Sequence, residues 1–335
     1  MEGLNMKHSI VITSIFPPSE AILKFSALPN SELIVVGDLK TPADWSCNGV
    51  RYLSIADQEA LPYALSTKLP YNHYCRKMVG YLDAIARGAK VIIDTDDDNI
   101  PKDGWQFPAF DGIFDMVSAP NGYVNIYQLF TKKKIWPRGL PLHLINCDFK
   151  LEQSLIRRDT RIGVWQGLAD EDPDVDAIFR LTDDSPTYFD SRSPVVMPAG
   201  VIVPFNSQNT MFRMECFPLL YLPTYVTFRF TDILRGLVAQ PIMWAAEFQL
   251  GFLNATVVQK RNPHNYMRDF ESEIPMYTRG AEVVEIVQAV IRPEGTVAEN
   301  LRLAYAALEK KGIVEKRELE TLDAWLGDIR DVMRG

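Results

Sequence analysis

The sequence predicts an α/β fold with a mostly parallel sheet flanked by helices and a helical extension at its C-terminal end. Three observations predict it. Short, continuous apolar runs at residues 10–12, 33–36 and 91–93 have the length and branching of buried parallel strands. Segments with helical spacing separate them. After Gly280 the chain turns into long amphipathic patterns rich in Ala, Leu, Glu and Lys.

Taken in order, residues 10–12 form the first strand. Residues 19–28 form a helix, with Ser19 placed to cap it and Glu20 close behind. Residues 33–36 form the second strand. Residues 74–87 form a helix with Met78, Val79, Leu82 and Ile85 on one face, and Gly88 suits its C-cap. Residues 91–93 form the third strand, and strand–helix repetition of this kind implies a parallel sheet. Residues 101–134, rich in Gly, Pro and aromatics, read as irregular with short strands. Further strands are expected at 161–168, 195–203 and 224–230. Helices are expected at 283–290, 297–308 and 315–333, with Pro293-Glu-Gly295 breaking the first from the second. Two domains follow, 1–280 and a helical extension 281–335. No internal repeat or low-complexity tract is present.

Length and composition narrow the class. The 335 residues are 47% hydrophobic and 23% charged, which excludes a disordered chain, a collagen and a coiled coil. The net charge of −8 disfavours a broad nucleic-acid binder but leaves room for a local basic pocket. Cys47, Cys75, Cys147 and Cys216 are widely scattered and read as free buried thiols, not a disulfide framework. The N-terminal apolar run stops at Thr13 and Ser14, so it is no signal sequence. Residues 239–258 contain Pro241, Glu247, Gln249 and Asn254, so they read as buried core and not as a transmembrane segment. A soluble protein of a reducing compartment is expected.

P-loop, dinucleotide, zincin and nucleophile-elbow motifs are all absent. The strongest chemical signal is Asp94-Thr-Asp-Asp-Asp-Asn99, directly after an apolar strand. Four carboxylates in so short a run repel one another unless a cation or solvent intervenes. In an extended chain Asp94, Asp96 and Asp98 share a face. A strand's carboxyl end is where open α/β sheets bind ligands. Hard oxygen ligands suit Mg²⁺ or Mn²⁺. An EF-hand fails, because loop positions six and twelve would be Asn99 and Trp105. A solvated acidic turn is the plain alternative. A metal held by few carboxylates takes substrate phosphates as well. Arg76 and Lys77, with Lys260, Arg261 and Arg268 around His264, supply cations for a diphosphate.

A strand ending in Asp-x-Asp after two strand–helix units resembles the GT-A (Rossmann-like) glycosyltransferases. More closely, the chain resembles the STELLO-like glycosyltransferases, and more distantly the reversibly glycosylated polypeptides, or UDP-arabinopyranose mutases. Val11-Ile-Thr-Ser-Ile15 resembles the first nucleotide-binding strand, and Val35-Val-Gly-Asp38 the second, whose Asp contacts the nucleoside. Cys75-Arg-Lys-Met-Val-Gly-Tyr81 resembles the helix before the acidic motif, and Asp96-Asp-Asp98 the metal motif. Pro173-Asp-Val-Asp-Ala177 and Pro204-Phe-Asn-Ser-Gln-Asn209 resemble segments lining the sugar and acceptor. Arg229-Phe-Thr-Asp-Ile-Leu-Arg-Gly236 resembles the segment with the acceptor-side carboxylate.

The resemblance implies a GT-A-like fold and a metal-dependent transfer of sugar from a nucleoside-diphosphate donor, UDP-linked, to an acceptor hydroxyl. Thr13, Ser14, Asp38 and Arg76 are expected on the nucleotide, with Lys77 beside the diphosphate. Asp96, Asp98 and His264 are expected on Mn²⁺ or Mg²⁺. Trp165 is expected against a sugar face, and Asp176 and Asn209 on sugar or acceptor hydroxyls. Asp232 is expected as the general base of an inverting transfer, with a helix N-cap as its structural alternative. The rival activities are a sugar-nucleotide mutase, with sugar carried on Arg157 or Arg158, and a non-catalytic sugar- or metal-binding module. Expected partners are the donor, a glycan or lipid-linked acceptor, and a second copy of the chain, with the helical tail docking either the acceptor or that second copy, and no nucleic acid. The plant Golgi relatives' membrane anchor is not found, which implies a stand-alone, bacterial, cytoplasmic enzyme.

Overall fold

A computed structural model describes residues 8–261 and 264–334. The first half is built as the apolar runs require. Strands β1 (His8–Thr13), β2 (Ser31–Val36), β3 (Val50–Leu53) and β4 (Val91–Thr95) pair in parallel in the order β3-β2-β1-β4. Successive residues of β1 point to opposite faces, and both faces are covered. Val11 packs with helix α3 (Lys77–Ala86), while Ile10 and Ile12 pack with α1 (Glu20–Ser26). That is why the run is continuously apolar instead of alternating. Ser19 caps α1 by accepting from the Ile22 N–H. Gly88 ends α3 at φ +86°, a left-handed conformation that favours glycine. A short helix, α2 (Ile55–Ala60), follows β3.

Beyond β4 the sheet is mixed. Strand β5 (Asn99–Pro101) lies at the far edge. Strands β6 (Asp111–Val117) and β7 (Gly122–Tyr123) precede the long β8 (Leu155–Asp170). The first part of β8 pairs antiparallel with β6, and its second part enters the main sheet. Helix α4 (Ala177–Thr182) leads to β9 (Val195–Met197) and β10 (Val201–Ile202). The expected strand at 195–203 is thus two short ones, separated at Pro198 and Gly200. Strand β11 (Asn209–Arg213) runs antiparallel between β4 and β8, and β12 (Gln249–Gln259) runs parallel to β8. Parallel pairing is therefore not confined to the strand–helix repeats that predicted it: β8 with β12, β6 with β9 and β7 with β10 are parallel as well.

The expected strand at 224–230 is an irregular loop that leads into α5 (Thr231–Ala245). Helix α6 (Tyr266–Gln288) runs unbroken past residue 280, so the expected domain boundary falls inside a helix. Helices α7 (Val297–Lys310) and α8 (Lys316–Arg334) match the tail patterns. They share one buried cluster with the sheet through Tyr305, Leu322 and Trp325. Glu318 of α8, wholly buried, accepts from the backbone N–H groups of Thr224 and Tyr225. Asp328 accepts from those of Ala64 and Leu65. The extension is therefore packed into the main body. Among the described residues, no helix is long and apolar enough to cross a membrane.

Candidate functional site

Strand order reverses at β1: β2 and β3 lie on one side of it, and β4 on the other. Such a switch point leaves a crevice at the carboxyl ends of the strands. Two adjoining cavities occupy it. One is lined by Thr13, Ser14, Asp38, His73 and Arg76, and the other by Asp96, Asp98, Gln259, Arg261 and His264. They share Thr13, Tyr74, Asp97 and Phe228, so they form one cleft. The far end of the second cavity is walled by Arg138, Asp174, Ser207 and Asp232.

The acidic run divides at the strand end. Asp94, still inside β4, is wholly buried between Lys77 Nζ at 2.9 Å and Arg235 Nη1 at 2.8 Å. Lys77 spends its remaining donors on Thr95 O at 2.7 Å and Asp96 at 2.8 Å. Burial works against the Lys77 ammonium, but Asp94 and Asp96 outweigh it and hold its pKa above the usual lysine range. Two expectations are corrected here. Asp94 does not share an open face with Asp96 and Asp98. Lys77, wholly buried with three hydrogen bonds, is the counter-ion of the strand end and does not face a diphosphate.

Asp96 and Asp98 both line the second cavity. Burial, then Asp98 and Asp94, push the Asp96 carboxyl up to about 7 against the pull of Lys77. Burial and Asp97 push Asp98 up as well, although Gln259 Nε2 donates to it at 3.2 Å. Asp97, which lines both cavities, accepts from Ser14 Oγ at 2.5 Å. Among the described residues, no three His, Cys, Asp or Glu side chains form a ready metal cluster. The expected set Asp96, Asp98 and His264 is thus not assembled as a three-ligand cage. Two hard carboxylates that disfavour joint ionisation do fit a divalent cation completed by substrate phosphate. His264 lines the same cavity and engages Asp269 Oδ2 through Nδ1 at 3.0 Å, which fixes the ring.

Other expected residues separate cleanly. Thr13, Ser14, Asp38 and Arg76 meet in the first cavity. Arg76 is almost wholly buried; Nε donates to Gln58 at 2.8 Å, and Nη2 has no partner among the described residues. Trp165 is fully buried in the core against Phe114, and its Nε1 donates to Ala109 O at 3.2 Å, so no sugar reaches it. Asp176 is fully buried, caps α4 by accepting from Phe179 N at 2.9 Å, and accepts from Trp136 Nε1 at 2.7 Å. Asn209 is fully buried on β11 and donates to Thr256 at 2.7 Å. Arg157 and Arg158 lie exposed on the β6–β8 ribbon and line neither cavity, so the mutase reading lacks its arginine there. Lys260 is paired with Glu171 at 2.5 Å, and Arg268 is exposed.

Asp232 lines the cavity, but it is not a helix cap: Phe230 holds that position and Asp232 sits in the first turn of α5. Gly236, one turn on, lets α5 approach the 204–207 segment, because a Cβ there would run into Phe205 O. Arg138 clamps both Asp232 oxygens, at 3.0 and 2.8 Å. Burial would raise the Asp232 pKa, but Arg138 outweighs it and lowers it. Arg138 thus occupies a lone pair on each Asp232 oxygen, in competition with the acceptor proton that a general base would have to take. Arg138 itself is the main residue that sequence reasoning missed. It also binds Asp174 at 2.8 and 2.9 Å. The one available signal was its place in the Trp136-Pro-Arg-Gly-Leu-Pro141 segment, whose Pro and Gly imply a fixed, irregular backbone.

Residues 229–333 match the family model described as STELLO glycosyltransferases. Two Arabidopsis thaliana proteins are similar over 96% of this chain. "Probable glycosyltransferase STELLO1" is 29% identical and "Probable glycosyltransferase STELLO2" 28% identical. The chain spans 44% of the length of each. Among solved structures, glucosyl-3-phosphoglycerate synthase from Mycobacterium tuberculosis, in complex with Mn²⁺, UDP and phosphoglyceric acid, is similar at 11% identity. Its TM-score is 0.35, covering 87% of this chain and 81% of that one, too loose a likeness to bear on this cavity's chemistry. The chain is thus similar along nearly its whole length to the STELLO glycosyltransferases, the family its motifs resemble.

Proposed function

We propose that this chain is a glycosyltransferase that moves sugar from a nucleoside-diphosphate donor, UDP-linked, to an acceptor hydroxyl of a glycan or a lipid-linked saccharide. The observation that carries the reading is the single cleft at the sheet's switch point. It joins a nucleoside-sized pocket to a pair of open carboxylates and then to a polar wall. In this reading Asp38 and Thr13 hold the nucleoside, and the free Nη2 of Arg76 faces the donor. Tyr74 and Phe228, whose rings meet edge-on at 4.7 Å, separate the two halves of the cleft. Asp96 and Asp98 hold Mn²⁺ or Mg²⁺ with the diphosphate. Bound there, the cation neutralises charge that develops on the leaving group. Arg261, paired with Asp172 at 3.0 Å and with Nη1 unpartnered among the described residues, replaces Lys77 as the cation beside the diphosphate.

A thermal-stability screen of nucleotide sugars, with Mn²⁺ and with chelator, tests this. A ligand at a hundred times its Kd stabilises by about 2.7 kcal/mol, an easily seen shift. A UDP-sugar is expected to raise the midpoint with Mn²⁺ and to do much less in chelator. No shift with any nucleotide sugar would overturn the reading.

A further inference from the structure

Helix α8 reaches toward the cleft through one carboxylate. Glu318 is wholly buried, and the donors to its side chain all belong to residues 221–225. Oε1 accepts from the Tyr221 hydroxyl and from the Thr224 N–H at 2.9 Å. Oε2 accepts from the Thr224 N–H at 3.0 Å and the Tyr225 N–H at 2.8 Å. Among the described residues, no Lys, Arg or His forms an ion pair with it. A buried carboxylate without a counter-ion is costly unless hydrogen bonds hold its charge. The backbone at Thr224 and Tyr225 is therefore fixed by what Glu318 requires.

That backbone leads directly to the cleft. Residues 226–228 follow, and at their far end the Arg229 N–H donates to Ser272 Oγ of α6 at 3.2 Å. Between these two anchors Phe228, 52% exposed, lines both cavities. Its ring stands edge-on to Tyr74 at 4.7 Å and to His73 at 5.4 Å. A second acid of α8 offers a comparison. Asp328, also buried, accepts from the Ala64 and Leu65 N–H groups at 3.0 and 2.8 Å, and neither of those residues lines a cavity.

We propose that Glu318 is a positioning residue of the donor site. Through Thr224 and Tyr225 it fixes residues 226–228, and so seats the Phe228 ring against the bound nucleotide. The helical extension thereby completes a cleft whose carboxylates come from the sheet. The proposal rests on the nucleotide-sugar reading above and adds to it a residue that touches no ligand.

Calorimetric titration of UDP with Mn²⁺ into the full chain tests it, at a temperature where every variant is folded. Phe228→Ala is expected to weaken Kd about three- to tenfold, the range one aromatic contact supplies. Glu318→Gln puts an N–H donor where an acceptor stood, and is expected to weaken Kd into the same range. Asp328→Asn is expected to lower the melting temperature as Glu318→Gln does, yet to keep Kd within about twofold of wild type. In the double variant, Glu318→Gln is expected to add nothing to Phe228→Ala, because the two residues act through one chain of contacts. Wild-type Kd in Glu318→Gln, an equal loss in Asp328→Asn, or losses that add in full would each overturn the proposal. If Glu318→Gln does not fold, Glu318→Asp, which keeps the charge one methylene short of its donors, takes its place in the same comparison. A wild-type chain that binds no UDP would instead strike the parent reading. Amide hydrogen exchange then tests the anchoring alone: Glu318→Gln is expected to speed exchange at Arg229, the far anchor, and unchanged exchange there would refute it.

Discussion

Asp94 and Asp98 lie four residues apart in one acidic run, yet they belong to two different regions. Asp94 is sealed beneath the sheet end between Lys77 and Arg235. Asp98 opens on the cleft with Gln259 as its donor. The difference is where the strand stops. Inside β4 a side chain must enter one packed face or the other, and a carboxylate there needs its own cations. Past Thr95 the chain turns, and the carboxylates that follow can meet a ligand. Asp176 and Asp174 repeat the contrast two residues apart: one is a buried cap, the other part of the cavity wall.

The contrast breaks most visibly at Asp94. Asp94→Ala strands two buried cations and is expected to lower stability by about 3–5 kcal/mol. Asp98→Asn, at a turn, should stay within about 0.5 kcal/mol of wild type. Urea unfolding of both variants checks this, and equal costs would erase the distinction.

Asp176 sharpens it through pH. Burial pushes its carboxyl up to about 6 from 3.8, against the Phe179 N–H and Trp136. A raised acid stabilises the fold below its unfolded pKa, and that contribution is lost as pH rises through 6. Roughly two pH units at about 1.4 kcal/mol each give an upper bound near 3 kcal/mol. Asp176→Asn does not titrate, so its stability deficit should narrow between pH 4 and 7 in a series of denaturant melts. A deficit that stays constant would contradict the assignment. The smallest effect belongs to Arg157→Ala and Arg158→Ala, on the exposed ribbon. Each should change stability by less than about 0.5 kcal/mol. Intact-mass measurement after incubation with donor should find no sugar on the wild-type chain.

The parallel strands, their helices and the tail were legible because each carries its own period and cap: Ser19, Gly88 and the apolar face of α3 all act locally. The mixed half was less legible. Its strands β5, β6 and β11 are short or polar, and their pairing is decided by partners far along the chain. The same limit governs the site. Asp96 and Asp98 were found from a strand end, where position in the fold follows from the local pattern, while Asp38 and Arg76 came from the family resemblance. Arg138 was not found, because its meaning comes from Asp174 and Asp232, the latter 94 residues away. Lys77, Trp165, Asp176 and Asn209 were placed in the site because residue type cannot tell a buried polar group from an exposed one. Each is satisfied by neighbours that no local pattern announces.

The central claim is that the open carboxylates, and not the buried one, hold the donor's diphosphate through a divalent cation. Calorimetric titration of UDP into the wild-type chain and Asp98→Asn, each with Mn²⁺ and with chelator, tests it most directly. Mn²⁺ is expected to tighten wild-type binding at least tenfold, about 1.4 kcal/mol. Asp98→Asn is expected to lose this gain while keeping its melting temperature. Wild-type affinity for UDP that is unchanged by chelator, or an Asp98→Asn chain that still responds fully to Mn²⁺, would contradict it.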